Sequence, residues 1–295
     1  MSKFPTKTKN SLEKLPKDER DFNLGAVFPQ ISLSELPSGD FIIAEPVIIK
    51  DQKDSDLCSA YAVTAVSEDQ EGEELLPEYQ FFQTKQISGK PDEWGANLRD
   101  ACKSAVKFGS LPLKNGVTEF SALKGISRTK LLKSETWSDL ARQIALFHKK
   151  ETYFNVDGKY DTFDNIRTRL WQHRDKKCSI VTGVLWRNEW IDAPRGIIPV
   201  TYGADGFGHA FKIFGQKVID GEVYLVAQLS QGKNVGDNGL FYFNREVTNK
   251  EIGEYGIYMF TDMSREDAEN IIKNKGNSLF IQLWSFLANL FSKFL

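Results

Sequence analysis

The sequence predicts an α+β fold, and two observations carry that prediction. Helical periodicity dominates roughly the first two thirds of the chain. After residue 178 the texture changes to short apolar or alternating runs separated by Gly, Asp and Asn. Helices first and strands afterwards imply an antiparallel sheet set apart from a helical part. The 295 residues suffice for one large domain, or for two half-domains around a cleft.

Residues 1–34 are polar and Lys-rich and read as a flexible or loosely packed arm. "FIIAEPVIIK" (41–50) is extended and apolar, and Pro46 makes it an edge strand or a strand broken in two. Residues 58–70 place Ala60, Tyr61, Val63, Ala65 and Val66 on a helical face, with Ser55 or Asp56 as the cap. Helices follow at 76–89 and 95–108, where Leu98, Ala101, Cys102, Ala105 and Val106 keep helical spacing and Gly109 stops the second. Two more lie at 136–148 and 162–173. The strands are "CSIVTGVLW", "GHAFKIFGQKV", "GEVYLVAQLS", "GLFYFNREV" and "EYGIYMFTD". A last helix is marked by a Ser264–Asp267 capping box and a Gly276 stop.

The net charge of −2 gives bulk electrostatics no hold on nucleic acid. Three cysteines, an odd number, argue against a disulfide framework and for a reducing compartment. The polar N-terminus lacks the apolar stretch of a secretory signal, so the expected location is cytoplasmic. No His/Cys/Asp cluster has ligand spacing, so neither metal nor organic cofactor is expected.

Cys102 and Cys178 sit on apolar faces and read as buried structural thiols. Cys58 differs because it begins its helix, where the macrodipole favours a thiolate. Of the three histidines, His148 and His173 end charged helices. His209 instead follows a Gly-rich turn and opens an apolar strand, a place for a titratable group that faces a cleft. Cys58 with a distant His209 is the pattern of a Cys–His nucleophile pair. Gln52 and the Cys58 backbone N–H are candidate oxyanion donors.

Several segments, in order, carry a resemblance: Gln52 six residues before Cys58-Ser-Ala-Tyr-Ala-Val, then "LPEYQFF" (76–82), "EWGANLRDACKSAVKFGSLP" (93–112), "RGIIPV…GFGHAFKIFGQ" (195–216) and "YLVAQLSQGKNVGDNGLFYFNRE" (224–246). Over roughly 36–262 the chain resembles the papain-like cysteine peptidases, as a divergent member. The resemblance implies a papain-like two-lobe fold, one lobe helical and one an antiparallel sheet, with an active-site cleft between them. It implies amide hydrolysis through a thioester on Cys58, with His209 as base and acid and Gln52 in the oxyanion hole. It also implies that Gly95 lines the cleft where a peptide lies extended, and that Phe207 and Ala210 shape an apolar subsite.

The sequence departs from the family pattern at several places. Leu229 stands where the family has the Asn that orients the catalytic His, and Gln231 stands in place of the Trp that shields it. Gln228 and Ser230 are neighbouring substitutes for the orienting role, which has no firm owner. Ser55 replaces an upstream disulfide Cys, and Ser59 replaces the aromatic after the nucleophile. Asp54 and Asp56 put negative charge near Cys58, which opposes a thiolate. Two readings therefore stay open: a peptidase acting on peptide or protein substrates, its activity weakened by these departures, or a catalytically inactive module that binds peptides or a partner protein. Only about 34 residues precede the match, so either no zymogen or a short local plug is expected.

The expected organisation is an arm over 1–34, a peptidase domain over 35–262, and a C-terminal helix with an amphipathic tail over 263–295. In residues 278–295 the polar positions form one narrow stripe among Phe, Trp and Leu. Docking on the domain, self-association and contact with a membrane surface compete for that tail.

Overall fold

The computed structural model describes residues 12–14, 18, 21–114, 119–190, 192–201, 205–261, 263, 266–267 and 270. The tail at 278–295 and most of the helix expected before it lie outside the described residues.

The elements in chain order are α1 (Leu24–Val27), β1 (Phe41–Ile42), α2 (Cys58–Glu71), α3 (Pro77–Ser88), α4 (Leu98–Phe108), α5 (Arg128–Leu131), α6 (Asp139–Leu146), β2 (Thr152–Asn155), α7 (Thr162–Gln172), β3 (Ile180–Arg187), β4 (Gly206–Ile219), β5 (Glu222–Gln228), β6 (Leu240–Phe243), α8 (Arg245–Glu251) and β7 (Ile257–Thr261). Gly109 ends α4 as expected, and residues not singled out in the sequence start or stop the other helices. Pro77 opens α3, Gly72 and Gly89 end α2 and α3 in the left-handed conformation, and the Asn97 and Asp161 side chains cap α4 and α7.

All seven strands form one antiparallel sheet in the order β2-β7-β3-β4-β5-β6, with β1 also pairing with β4. The 41–50 segment contributes only Phe41 and Ile42 to it. Beyond the strands expected from sequence, the sheet gains β2, which pairs with β7 from Thr152↔Thr261 to Asn155↔Tyr258.

Three apolar cores divide the molecule. One, with Leu76, Tyr79, Phe82 and Trp137, fills the helical lobe. One, with Phe154, Ile180, Trp186, Phe211 and Phe243, fills the sheet lobe. The third joins the lobes: Cys58, Ala62, Val63 and Val66 of α2 and Cys102 of α4 meet Val181, Ala210, Tyr258 and Phe260 of the sheet.

The segment read as a loose arm is packed from Asp21 onward. Leu24 and Val27 are buried, the Phe28 carbonyl accepts from Arg169 of α7, and Asn155 N–H donates to the Phe22 carbonyl. The four apolar residues Phe22, Leu24, Val27 and Phe28 gain enough by burial to order a stretch that is polar on average.

Candidate active site

Cys58 is the first residue of α2 and fully buried. Neither expected cap is used, because both side chains have other partners. Ser55 Oγ donates to the Gln52 carbonyl at 2.7 Å. Asp56 Oδ2 accepts from Gly95 N–H at 2.9 Å and from Arg128 Nε at 3.0 Å. The Asp56 charge beside Cys58 is thus offset by a guanidinium. Asp54 is exposed to water, which screens it.

Gln52 is held at both ends of its amide. Its Oε1 accepts from Ser230 Oγ at 2.5 Å and its Nε2 donates to the Ser55 carbonyl at 3.0 Å. Its backbone N–H donates to the Ser230 carbonyl at 2.7 Å. An amide nitrogen carries two hydrogens, so one donor remains on Nε2.

His209 lies on β4 opposite Val184 of β3 and is 1 % exposed. Trp186 and Phe207 set their rings edge-on to the imidazole, at centroid distances of 5.9 and 6.1 Å. Burial in this setting pushes the His209 pKa down to about 4, while the Gln231 side chain, hydrogen-bonding to it, opposes the shift. His209 Nε2 and Gln231 Oε1 are both shut off from solvent without a well-formed bond elsewhere. A donor and an acceptor left over beside each other are natural partners, at a geometry looser than a full hydrogen bond.

The side chain beside the imidazole is therefore one that the sequence pattern aligned with a shield. Leu229 is core, its N–H bonded to the Gly239 carbonyl. Gln228 pairs with Lys212 in the sheet and donates to the Ile48 carbonyl. Ser230 serves Gln52. Gln231, bridged to Asp51, reaches the imidazole. Aromatic cover comes instead from Trp186, on a strand where no site residue was expected. A Gln one position from a polar Ser, just past a strand end, was the only available signal for this.

Residues 91–95 hold Gly95, the glycine expected at the cleft wall. Gly95 has φ +75°, a conformation that suits glycine, and both its polar groups are bonded: N–H to Asp56 and C=O to buried Lys85. The next residue receives an extended segment. Ala96 pairs in parallel with Leu12, and its carbonyl accepts from Glu13 N–H at 3.2 Å. Leu12 is fully buried in the core between the lobes that also holds Cys58 and Ala210. It lies over Gly183, where an added Cβ would stand 2.3 Å from Leu12 Cδ2. Lys14 then pairs with Glu254 over the Tyr255 ring. Ala210 is fully buried, and Phe207 packs with the sheet core. Beside the loop that leads to Cys58, a pocket of about 530 Å³ is lined by Gln52, Asp56, Trp94 and Arg128 among others.

The remaining candidates have structural surroundings. Burial pushes the Cys102 thiol well up, and Cys178 accepts from Gln70. His173 packs edge-on against Phe28. His148 contacts Glu71 and Glu73, and Lys150 also bonds Glu71, so that carboxylate already has a cationic partner. Among the described residues, no helix is long and apolar enough to cross a membrane.

No family model and no curated protein sequence matches the chain. Solved structures do. Xylellain, a cysteine protease from Xylella fastidiosa, superposes with a TM-score of 0.68 at 20% identity over 88% of this chain and 99% of that one. The procathepsin B S9 of Trypanosoma congolense gives 0.55 at 16% identity, over 84% and 85%. The bromelain protease of Ananas comosus, in complex with the E64 inhibitor, gives 0.54 at 16% identity, over 77% and 99%. With its helical lobe, its antiparallel sheet and α2 packed along β4 between them, the chain has the fold of the papain-like cysteine proteases.

Proposed function

We propose that the protein is a cysteine peptidase with Cys58 as nucleophile and His209 as its acid and base, and that the segment around Leu12 plugs its cleft. The observation that carries the reading is Gln231 against His209. It supplies the amide acceptor that Leu229 denies, and Ser230 ties the same turn to Gln52. In the reaction His209 takes the Cys58 proton and the thiolate adds to the substrate carbonyl. The second Nε2 hydrogen of Gln52 bonds the developing oxyanion. The imidazolium then protonates the leaving amine, and water, deprotonated by His209, hydrolyses the thioester. Neutral His209 is the state that can accept the first proton.

The experiment is labelling with a peptidyl epoxide, read by peptide mass spectrometry. Stoichiometric modification of Cys58 alone, lost in His209→Ala, supports the peptidase. A folded, opened protein whose Cys58 never reacts sinks it.

The second reading, a peptide-binding module without catalysis, draws on the complete burial of Cys58 in the core that also holds Leu12. The opened form decides between the two. Burying a leucine side chain contributes about 1.5–3 kcal/mol, which corresponds to roughly ten- to hundredfold in occupancy of the plug. Leu12→Asp should therefore speed epoxide labelling of Cys58 by that factor while the circular dichroism spectrum stays unchanged. A folded Leu12→Asp variant that reacts at the wild-type rate would show that Leu12 guards nothing.

A further inference from the structure

The 91–95 wall is tied down by three side chains from three places in the helical lobe. Lys85 of α3 donates to the Glu93 carbonyl at 2.8 Å and to the Gly95 carbonyl. Arg128 of α5 donates through Nη2 to the Pro91 and Glu93 carbonyls at 2.9 and 2.7 Å. The same guanidinium turns its Nε to Asp56 Oδ2, and that oxygen also takes Gly95 N–H. Asp56 is two residues from Cys58 and 1 % exposed. Arg128 thus touches both banks, the wall that receives an extended chain and the loop that ends in the nucleophile. A planar fork with several donors suits this bridging job, and a lysine could not make all of these bonds at once.

We propose that Asp56 and Arg128 are positioning residues that set the distance between the peptide-receiving wall and Cys58. The inference rests on the peptidase reading for its consequence, though the wall's hold on Leu12–Glu13 exists without catalysis. The wall has no regular strand partner in 91–95, and its backbone polar groups go to these side chains instead. With Arg128 gone, the Pro91 carbonyl loses that bond and the Glu93 carbonyl keeps only Lys85. Asp56 keeps only Gly95 N–H of the two bonds to Oδ2. The wall then shifts relative to the loop, and a ligand that must touch both is held worse.

Two reagents separate positioning from general damage. Iodoacetamide reads Cys58 and His209 alone, whereas a peptidyl epoxide must also lie along the wall. In Arg128→Met the concentration of epoxide giving half-maximal labelling rate should rise about tenfold, a loss of the size that small misplacements cause. In Arg128→Lys, which keeps a positive charge beside Asp56, the half-maximal concentration should rise less, and the maximal epoxide rate and the iodoacetamide rate should stay within about twofold of wild type. Equal slowing with both reagents, or no slowing with either, overturns the proposal. If Cys58 resists both reagents even in Leu12→Asp, the peptidase reading fails, but the clasp is still read by hydrogen exchange. Faster exchange at the Gly95 and Glu13 amides in Arg128→Met, with α4 unchanged, supports it. Wild-type exchange at both amides overturns it.

Discussion

Asp69→Asn should destabilise the protein by about 3–5 kcal/mol, the usual cost of leaving one partner of a buried ion pair alone. Asp69 lies near the end of α2 and Lys212 on β4, three residues past His209. Their side chains are 0% and 1% exposed, with Nζ and Oδ1 2.7 Å apart. Ser179 Oγ bonds the other carboxylate oxygen. Burial pushes Asp69 up and Lys212 down, each toward neutrality, against the attraction between them. The pair therefore stands only because both charges are present. Urea denaturation of wild type, Asp69→Asn and the double variant Asp69→Leu/Lys212→Met tests this. The double variant should recover most of the loss, since an apolar pair of similar volume avoids the desolvation cost altogether. Single and double variants with the same midpoint would mean that Lys212 is satisfied without Asp69. The pair also matters for the site, because α2 carries Cys58 and β4 carries His209. A second buried pair sits close by, with Lys50 bonded to Glu68 and to the Leu75 carbonyl at 2.7 Å. Lys50 is two residues before Gln52. The helix of Cys58, the strand of His209 and the approach to Gln52 are therefore tied together by adjacent charges on α2.

The elements with local signals were legible in the sequence. Cys58–Glu71, Pro77–Ser88 and Thr162–Gln172 match the expected helices within two residues at either end. Their caps, stops and apolar spacing act within a few positions. β2 was not legible, because four residues of the helix-rich part pair with β7 about a hundred positions later, and nothing local marks the pairing. The seat of Leu12 was hidden for a similar reason. Leu12 is one of few apolar residues in a polar stretch, and its value comes from Gly183 beneath it. The fold class and the two-lobe division came through intact. At the candidate site, Cys58, His209 and Gln52 were singled out by residue type and order. The neighbour of the imidazole was not, since the chain between Gln228 and Gly232 offers one short turn in which each side chain takes a different direction. Leu229 goes into the core, Ser230 to Gln52 and Gln231 to His209. Asp56 was read as a nearby charge, but its partner Arg128 lies 72 positions away and reverses that reading.

His209 should make the folded protein acid-sensitive in a window set by its own two pKa values. Unfolded, the imidazole has its ordinary value of 6.5; folded, burial lowers it to about 4. Above pH 6.5 both states are neutral there, and the group contributes no pH dependence. As pH falls from 6.5 toward 4, the unfolded chain takes up a proton that the folded chain refuses, so stability falls with pH. At about 1.4 kcal/mol for each pH unit, the loss from this group approaches 3 kcal/mol by pH 4. The buried carboxylates Glu68, Asp69 and Glu78 are raised by burial and act in the opposite direction, so total stability does not isolate the histidine. The difference between wild type and His209→Gln does. Between pH 7.5 and pH 4, wild type should lose about 3 kcal/mol more than His209→Gln in urea denaturation. Equal losses would mean that His209 is charged or solvated in the folded protein.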